Sequence, residues 1–327
     1  MLIYAGIDEA GYGPLFGPLT IGRVVMAIEH GEPRRPSPDL WHELRMAVCR
    51  RVSKRRGRVA VNDSKKIYSR SSGLIRLEES VLTFAALCGH RPTTVDQWLD
   101  ILGETDHHDL SDLPWYAPSA EHPWEALPSA CTDGELAIAR SMLGTAAKAA
   151  RVRVVDLAAA VVYEDRFNRM VKATRSKAAA SFTFVAAHLD AIWNRFGESD
   201  PTVIVDRQSG RTHYRELLQQ TFPNAHLTVE DESDERSAYR LETEKRRMTI
   251  RFEVEADCDH MPVSLASMVS KYTRELLMAR FQSWFRRRAP DVKPTAGYAS
   301  DAKRFWKQIQ PHLAALSIEP EKLRRRR

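Results

Sequence analysis

Three apolar runs in this chain end on an acid or lead directly to one, and that pattern restricts the fold more than any other feature. Leu2-Ile3-Tyr4-Ala5-Gly6-Ile7 runs into Asp8-Glu9, Thr202-Val203-Ile204-Val205 runs into Asp206, and the run Thr249 to Val254 is followed by Asp257. Short runs rich in β-branched residues read as buried strands. Glycines and prolines after Glu9 mark a turn, and Leu19 to Ile28 reads as a second strand, so a hairpin opens the sheet. Between these runs lie segments with apolar residues at helical spacing: 40–52 (Leu40, Leu44, Ala47, Val48), Leu74 to Leu87, the Ala-rich 135–150, a single long helix from Asp165 to Arg195, Tyr214 to Phe222, and Val263 to Phe285. Arg151 to Val162 alternates and is expected to be a strand. Strands and helices interleave, which predicts an α/β layered domain. Residues 70–150 are the least patterned part, and no internal repeat is present.

With 327 residues, 43% of them hydrophobic, the chain can bury a sizeable core as one large domain or two small ones. Lys and Arg outnumber Asp and Glu by 49 to 43, a formal charge of +6. The excess gathers in Arg34, Arg35, Arg45, Arg50, Arg51, Lys54, Arg55, Arg56 and Arg58, and in the closing Lys322-Leu323-Arg324-Arg325-Arg326-Arg327. Such runs suit a polyanionic partner and equally suit a solvated surface or tail. Cys49, Cys88, Cys131 and Cys258 are far apart, with neither zinc spacing nor a disulfide framework, so they read as thiols in a reducing compartment. There is no apolar run of about 18 residues and no signal-peptide pattern, so a soluble, cytoplasmic protein is expected.

Hydrolysis of a phosphodiester requires an attacking water to lose a proton and a leaving oxygen to be stabilised. Divalent ions held by several carboxylates do both, and Mg²⁺ takes few protein carboxylates while keeping water and phosphate ligands. Acids on converging strand ends meet that requirement, and Asp8, Glu9, Asp206 and Asp257 are candidates. Taken singly, each reads as readily as a turn or helix-cap residue.

The motifs Gly6-Ile7-Asp8-Glu9-Ala10-Gly11-Tyr12-Gly13-Pro14 with Gly17-Pro18, Asn62-Asp63-Ser64-Lys65-Lys66, Val203-Ile204-Val205-Asp206, Ala256-Asp257 followed by Val263 to Glu275, and Gly297-Tyr298 occur in an order that resembles type 2 ribonuclease H. They span residues 1–68 and about 155–306. The resemblance implies a ribonuclease H-like mixed sheet flanked by helices, with a helical or irregular insertion. It divides the chain into a catalytic domain (1–69 and 151–310), an insertion (70–150) and a basic C-terminal tail (311–327). It implies an endonuclease that cuts the RNA strand of RNA–DNA hybrids with Mg²⁺ or Mn²⁺, held by Asp8, Glu9, Asp206 and Asp257, with Asp259 a fallback for Asp257. It also implies substrate contacts from the glycine loop Gly11-Tyr12-Gly13 near the ribose 2′-hydroxyl, from Lys65, Lys66 and Lys271 to phosphates, and from Tyr298 by stacking. No organic cofactor and no membrane are expected, and the chain is expected to be a monomer.

Departures from that family's pattern bear on substrate choice. The loop carries Tyr12 where the family usually has arginine, and tyrosine cannot replace a bidentate guanidinium. Arg207-Gln208 follow Asp206 where Gly-Asn is common, Leu265 and Met268 enter the Ala-Ser-rich helix, and the usual His-Lys before Gly297 is absent. Two other readings therefore stand beside the first: a hybrid- or structured-RNA-binding protein of weak catalysis, and a related nuclease acting on another substrate such as a DNA junction. Some signals are set aside. Gly11-x-Gly13-x-x-x-Gly17 lacks dinucleotide-binding spacing. Asp106-His107-His108-Asp109 reads as exposed, and His213 and His226 lack catalytic partners. Pro114-Trp115-Tyr116 and Trp124 are expected to pack a core of the insertion's own, and Asp231 to Glu235 to form a solvated acidic loop.

Overall fold

The computed structural model describes residues 1–29, 37–51, 57–68, 73–103, 110, 112–118, 125–207 and 210–326. Arg34, Arg35, Lys54, Arg55, Arg56, the Asp106 to Asp109 run, Trp124, Gln208 and Arg327 lie outside them. The strands are β1 (Leu2–Ala10), β2 (Leu19–Ile28), β3 (Val48–Cys49), β4 (Val59–Ala60), β5 (Val152–Val162), β6 (Thr202–Asp206), β7 (His226–Glu232), β8 (Arg236–Glu242) and β9 (Arg247–Glu253). The helices are α1 (Leu40–Glu43), α2 (Ser64–Ile67), α3 (Ile75–Leu87), α4 (Val95–Leu102), α5 (Asp133–Ala150), α6 (Glu164–Thr174), α7 (Lys177–Phe196), α8 (Arg215–Thr221), α9 (Met261–Arg288), α10 (Ala299–Ile309) and α11 (Pro320–Leu323).

Seven strands form one mixed sheet in the order β5-β2-β1-β6-β9-β8-β7. Strands β1, β6 and β9 run parallel at its centre, and the flanking pairs are antiparallel. A central strand covered on both faces is apolar on both, which is why β1 reads as a continuous apolar run. Its Ile3, Ala5 and Ile7 pack into one core with Phe182, Val185 and Leu189 of α7, while Leu2 and Tyr4 pack into the other, on the side of α9. The chain is thus a mixed α/β domain with helical layers on both faces of the sheet. Among the described residues no helix is long and apolar enough to cross a membrane.

Helix α9, 28 residues long, crosses the sheet over β1 and β2. The crossing requires Gly6: a Cβ there would lie 2.2 Å from backbone atoms of Pro262 and Val263, far inside contact distance. Helices α3 and α4 and the residues around Glu125 and Ser129 are bolted to the same helix. The buried Glu78 carboxylate accepts from the backbone N–H groups of Ser129 (2.9 Å), Ala130 (2.6 Å) and Cys131 (2.9 Å), and from the Ser129 and Tyr272 hydroxyls (both 2.8 Å). Trp98 Nε1 donates to Thr273 Oγ1 at 3.0 Å. The buried Arg280 guanidinium reaches Asp96 (2.7 Å) and both Glu125 oxygens (2.9 and 2.6 Å). The excursion from β2 to β5 starts and ends at one place, where Glu29 N–H donates to Arg151 C=O at 3.2 Å.

Several expectations are corrected. Trp115 and Tyr116 do not build a separate core: Trp115 packs on Trp284 and Phe285 of α9, and Tyr116 on Phe281. The helix expected over 40–52 ends at Glu43, because Val48 is taken by pairing with Val59. The expected single helix from Asp165 to Arg195 is broken at Arg175, which has φ 53°, and Ser176 caps a new helix by accepting from Ala179 N–H. Asp231 and Glu232, expected in a solvated loop, belong to β7, an edge strand that pairs with β8. The basic C-terminal run is no solvated tail: Leu323 and Arg325 are buried, and Arg325 N–H donates to Leu15 C=O at 2.9 Å.

Two stability outcomes follow. Gly6→Ala forces β1 and α9 apart and is expected to lower the unfolding free energy by at least about 2 kcal/mol. Gly144→Ala, in mid-α5 with nothing within 4 Å of the added Cβ, is expected to raise it by roughly 0.5–1 kcal/mol; urea titration of both measures the contrast. Burial opposes ionisation of Glu78, but the donors around it outweigh burial and hold its pKa below the usual value. Its contribution is therefore present above pH about 4.5 and lost as pH falls through the lower folded value. Glu78→Gln replaces an acceptor by a donor and is expected to cost about 2–3 kcal/mol at pH 7, and to flatten the acid limb of a pH–stability curve.

Candidate active site

The period of two along a strand puts Asp8 and Asp206 on the face of the sheet toward α9, together with Tyr4 and Ile204. Parallel pairing of Ile7 with Val205 sets the two acids side by side at the carboxyl ends of β1 and β6. Glu9 follows on β1. Asp257 stands in a short 3-10 turn, Ala256–Cys258, between β9 and α9. That turn is latched to β6, since Ala256 N–H donates to Asp206 Oδ1 at 2.9 Å, and to α9, since Ser264 Oγ donates to the Asp257 carbonyl.

These acids line one cleft of about 510 Å³ with Gly11, Tyr12, Gly13, Asp63, Ser64, Lys65, Lys66, Arg207, Cys258, Ser267, Lys271 and Tyr298 among its other walls. Every site residue expected from the sequence lies in it, and Asp257, not the fallback Asp259, is the one that reaches the cleft.

The acids repel one another. Asp8 is only 7% exposed, and burial, then the charges of Glu9, Asp206 and Asp257, push its pKa well above the usual carboxylate value, against a hydrogen bond from Ser267. Burial, then Glu9 and Asp257, raise Asp206 to about 7. Asp257 is raised by burial and by Asp63, whose side chain bonds to it, while Lys65 and Lys66 pull it down. Burial disfavours the Lys65 ammonium, but Asp63, Asp8, Asp257 and Asp206 outweigh it and its pKa rises. Lys66 is raised by Cys258, whose Sγ lies 3.4 Å from its Nζ.

Helix α9 supplies the floor. Ser270 Oγ donates to the Asp8 carbonyl at 3.0 Å, and Ser267 Oγ to Ser64 Oγ at 3.0 Å. Lys271 lines the cleft, but its ammonium is held by Glu275 at 2.7 Å and lies 4.6 Å from the Tyr68 ring. Tyr298 is 42% exposed and stands at the start of α10, its ring 5.2 Å from the Arg274 guanidinium. Among the described residues, no three Asp, Glu, His or Cys side chains already form a ligand set for a metal ion. Asp206 and Asp257 instead spend oxygens on Ala256 and Asp63.

Asp63, Ser267 and Arg274 stood inside the recognised motifs, but the sequence reading gave them no role. Asp63 caps α2 by accepting from Lys65 N–H at 2.9 Å while facing Asp257. The motif Asn62-Asp63-Ser64-Lys65-Lys66 contained it, but its contact with an acid on another element left no trace in the sequence. Arg274 is wholly buried under the glycine loop and donates to the carbonyls of Phe16 (3.0 Å) and Ala296 (3.2 Å).

No family model and no curated protein matches the chain. Solved structures similar to it include ribonuclease HII from Archaeoglobus fulgidus in complex with PCNA, at 16% identity and TM-score 0.47, covering 99% of this chain and 95% of that one. Ribonuclease H2 from Pyrococcus horikoshii matches at 16% identity and TM-score 0.40, over 98% and 92% of the two chains. Bst ribonuclease HIII in complex with Mn²⁺ matches at 12% identity and TM-score 0.41, over 99% and 66%. At such identities none of them assigns an activity or a substrate to this chain.

Proposed function

We propose that the chain is a divalent-metal-dependent endonuclease that hydrolyses the RNA strand of RNA–DNA hybrids, with Asp8, Glu9, Asp206 and Asp257 as its catalytic acids. The observation that carries this reading is the meeting of four mutually repelling carboxylates with Lys65, Lys66, Lys271, Tyr298 and the glycine loop in one cleft. The donor set suits a hard cation: carboxylate oxygens only, with Asp8, Asp206 and Asp257 raised in pKa by burial and by neighbouring acids, a cost that a bound cation removes. Asp8, Glu9, Asp206 and Asp257 would hold Mg²⁺ or Mn²⁺, which would supply a Lewis acid for the phosphate and acidify a water. Lys65 and Lys66 stand beside the acids to hold a phosphate backbone. The loop Gly11-Tyr12-Gly13 has a bare wall at Gly13, where an added Cβ would meet nothing within 4 Å, so a sugar can approach its backbone. Tyr298 offers a half-exposed ring for stacking on a base or sugar.

A second reading, a protein that binds hybrids or structured RNA and cleaves weakly, draws on the absence of a ready ligand set among the described residues and on the engagement of Lys271 by Glu275. A panel of hybrid, duplex RNA, an embedded single ribonucleotide and a DNA junction, each with Mg²⁺ or Mn²⁺, separates the two. Asp8→Asn and Asp206→Asn are each expected to lower hybrid cleavage by at least about 100-fold. Cleavage untouched by both substitutions would sink the site; salt-sensitive binding without cleavage would favour the second reading.

A thermal measurement needs no substrate. Asp206 has a folded pKa near 7 against 3.8 ordinarily, so between those values the folded chain holds a proton the unfolded chain has lost. The metal-free protein is therefore expected to lose stability as pH rises from about 4 to 7. Mg²⁺ is expected to restore Tm above pH 7. Asp206→Asn should raise the metal-free Tm there and diminish the gain from Mg²⁺, and calorimetry at pH 5 and 8 with and without EDTA checks both signs.

A further inference from the structure

The loop that follows Glu9 is fixed from beneath by two buried guanidinium groups, and one comes from a distant part of the chain. Arg325, 2% exposed, donates through its guanidinium to the Gly11 carbonyl and through its backbone N–H to the Leu15 carbonyl at 2.9 Å. Leu15 N–H in turn donates to Gly297 C=O at 2.8 Å, beside Tyr298. Arg274 holds the far end of the loop through the Phe16 carbonyl at 3.0 Å. Gly11 sits at φ +88°, and a Cβ on it would lie 2.7 Å from Arg274 Nε, so the loop backbone rests directly on Arg274 at the residue whose carbonyl Arg325 holds.

Segment Pro320–Arg326 is itself strapped down. Asn168 Nδ2 on α6 donates to the carbonyls of Glu321 (2.6 Å) and Arg324 (2.8 Å), and its Oδ1 accepts from Arg326 N–H at 2.7 Å. Leu323 is fully buried. The strap therefore delivers Arg325 to a fixed place, 5.0 Å from the Phe167 ring and close to the buried Glu164. That place is poor for a guanidinium. Nε and Nη1 of Arg325 have no hydrogen-bond partner among the described residues, and burial lowers its pKa to about 10. A buried charge with unmatched donors does not optimise stability. What the residue does achieve is a charge-assisted bond to the carbonyl at the root of the Gly11-Tyr12-Gly13 turn.

We propose that Arg325 is a positioning residue of the cleft: it sets the backbone of the loop Gly11–Leu15, which meets the sugar-phosphate of the nucleic-acid strand, without touching that strand itself. This rests on the nuclease reading for its substrate but not for its structural content. Residues 320–326 thereby belong to the site, although they lie more than three hundred positions from the first acid.

The test uses the full chain with Arg325→Ala and the milder Arg325→Lys, read by hydrogen–deuterium exchange and by hybrid cleavage. Arg325→Ala is expected to speed exchange in the peptide covering Gly11–Leu15, while peptides from β1 and α9 keep their wild-type rates. KM for the hybrid is expected to rise roughly tenfold, about 1.4 kcal/mol, with kcat changed less than about twofold and the loss partly reversed by added guanidinium ion. Arg325→Lys should fall between. Unchanged exchange at Gly11–Leu15, or exchange accelerated equally throughout the protein, overturns the proposal. If wild type cleaves no hybrid, the nuclease reading fails, and the exchange result alone decides the role of Arg325.

Discussion

The contact on which the rest of this molecule depends is the crossing of α9 over β1 at Gly6. Because no side chain intervenes there, the helix backbone meets the strand backbone directly, and every later residue of α9 is placed by that meeting. Ser267 and Ser270 arrive under Asp8, Lys271 reaches the cleft wall, and Arg274 comes to rest beneath the glycine loop. On the same helix, Tyr272 holds Glu78 and Arg280 holds Asp96. One glycine thus fixes the register between the helix that supports the site and the strand that carries its first acids.

That arrangement places buried charge where a simple core would have none. Asp8, Glu164, Arg274 and Arg325 are all buried, within or below the cleft. Such groups stabilise poorly compared with apolar packing but hold geometry well, because each has few alternative partners. The cleft combines both properties: the elements behind it are packed through apolar cores, and its lining carries charges whose balance shifts with pH and with any cation that enters.

Much of this was legible from the sequence because it was carried by local pattern. The apolar runs before Asp8 and Asp206 announced central strands, and the glycine frame announced a turn. What was not legible depended on partners remote in sequence. Val48 reads as helix by spacing, yet pairs with Val59 in a strand. Ser176 looked like an interior residue of one long helix, yet it begins a second. The acidic stretch near Asp231 looked soluble, and it is, but as an edge strand whose exposed face tolerates charge. Arg325 carried the composition of a tail, and only its burial against Gly11 and Leu15 shows otherwise. Asp63 stood in a recognised motif without pointing to its neighbour Asp257, since proximity between acids on separate loops leaves no periodic trace.

The meeting of Glu29 with Arg151 has a consequence for how such a chain can change over time. Everything between β2 and β5 departs from and returns to a single point on the sheet, so it is a closed loop in the topological sense. Lengthening such a loop is cheap in chain entropy, about 0.6 kcal/mol for each doubling. Residues 57–67, which bring Asp63, Lys65 and Lys66 to the cleft, are anchored early in that loop by β4 and by Ser64 against Ser267. Growth is therefore confined to stretches that pack on neither α9 nor β5, while the acids, the lysines and the glycine turn keep their mutual placement.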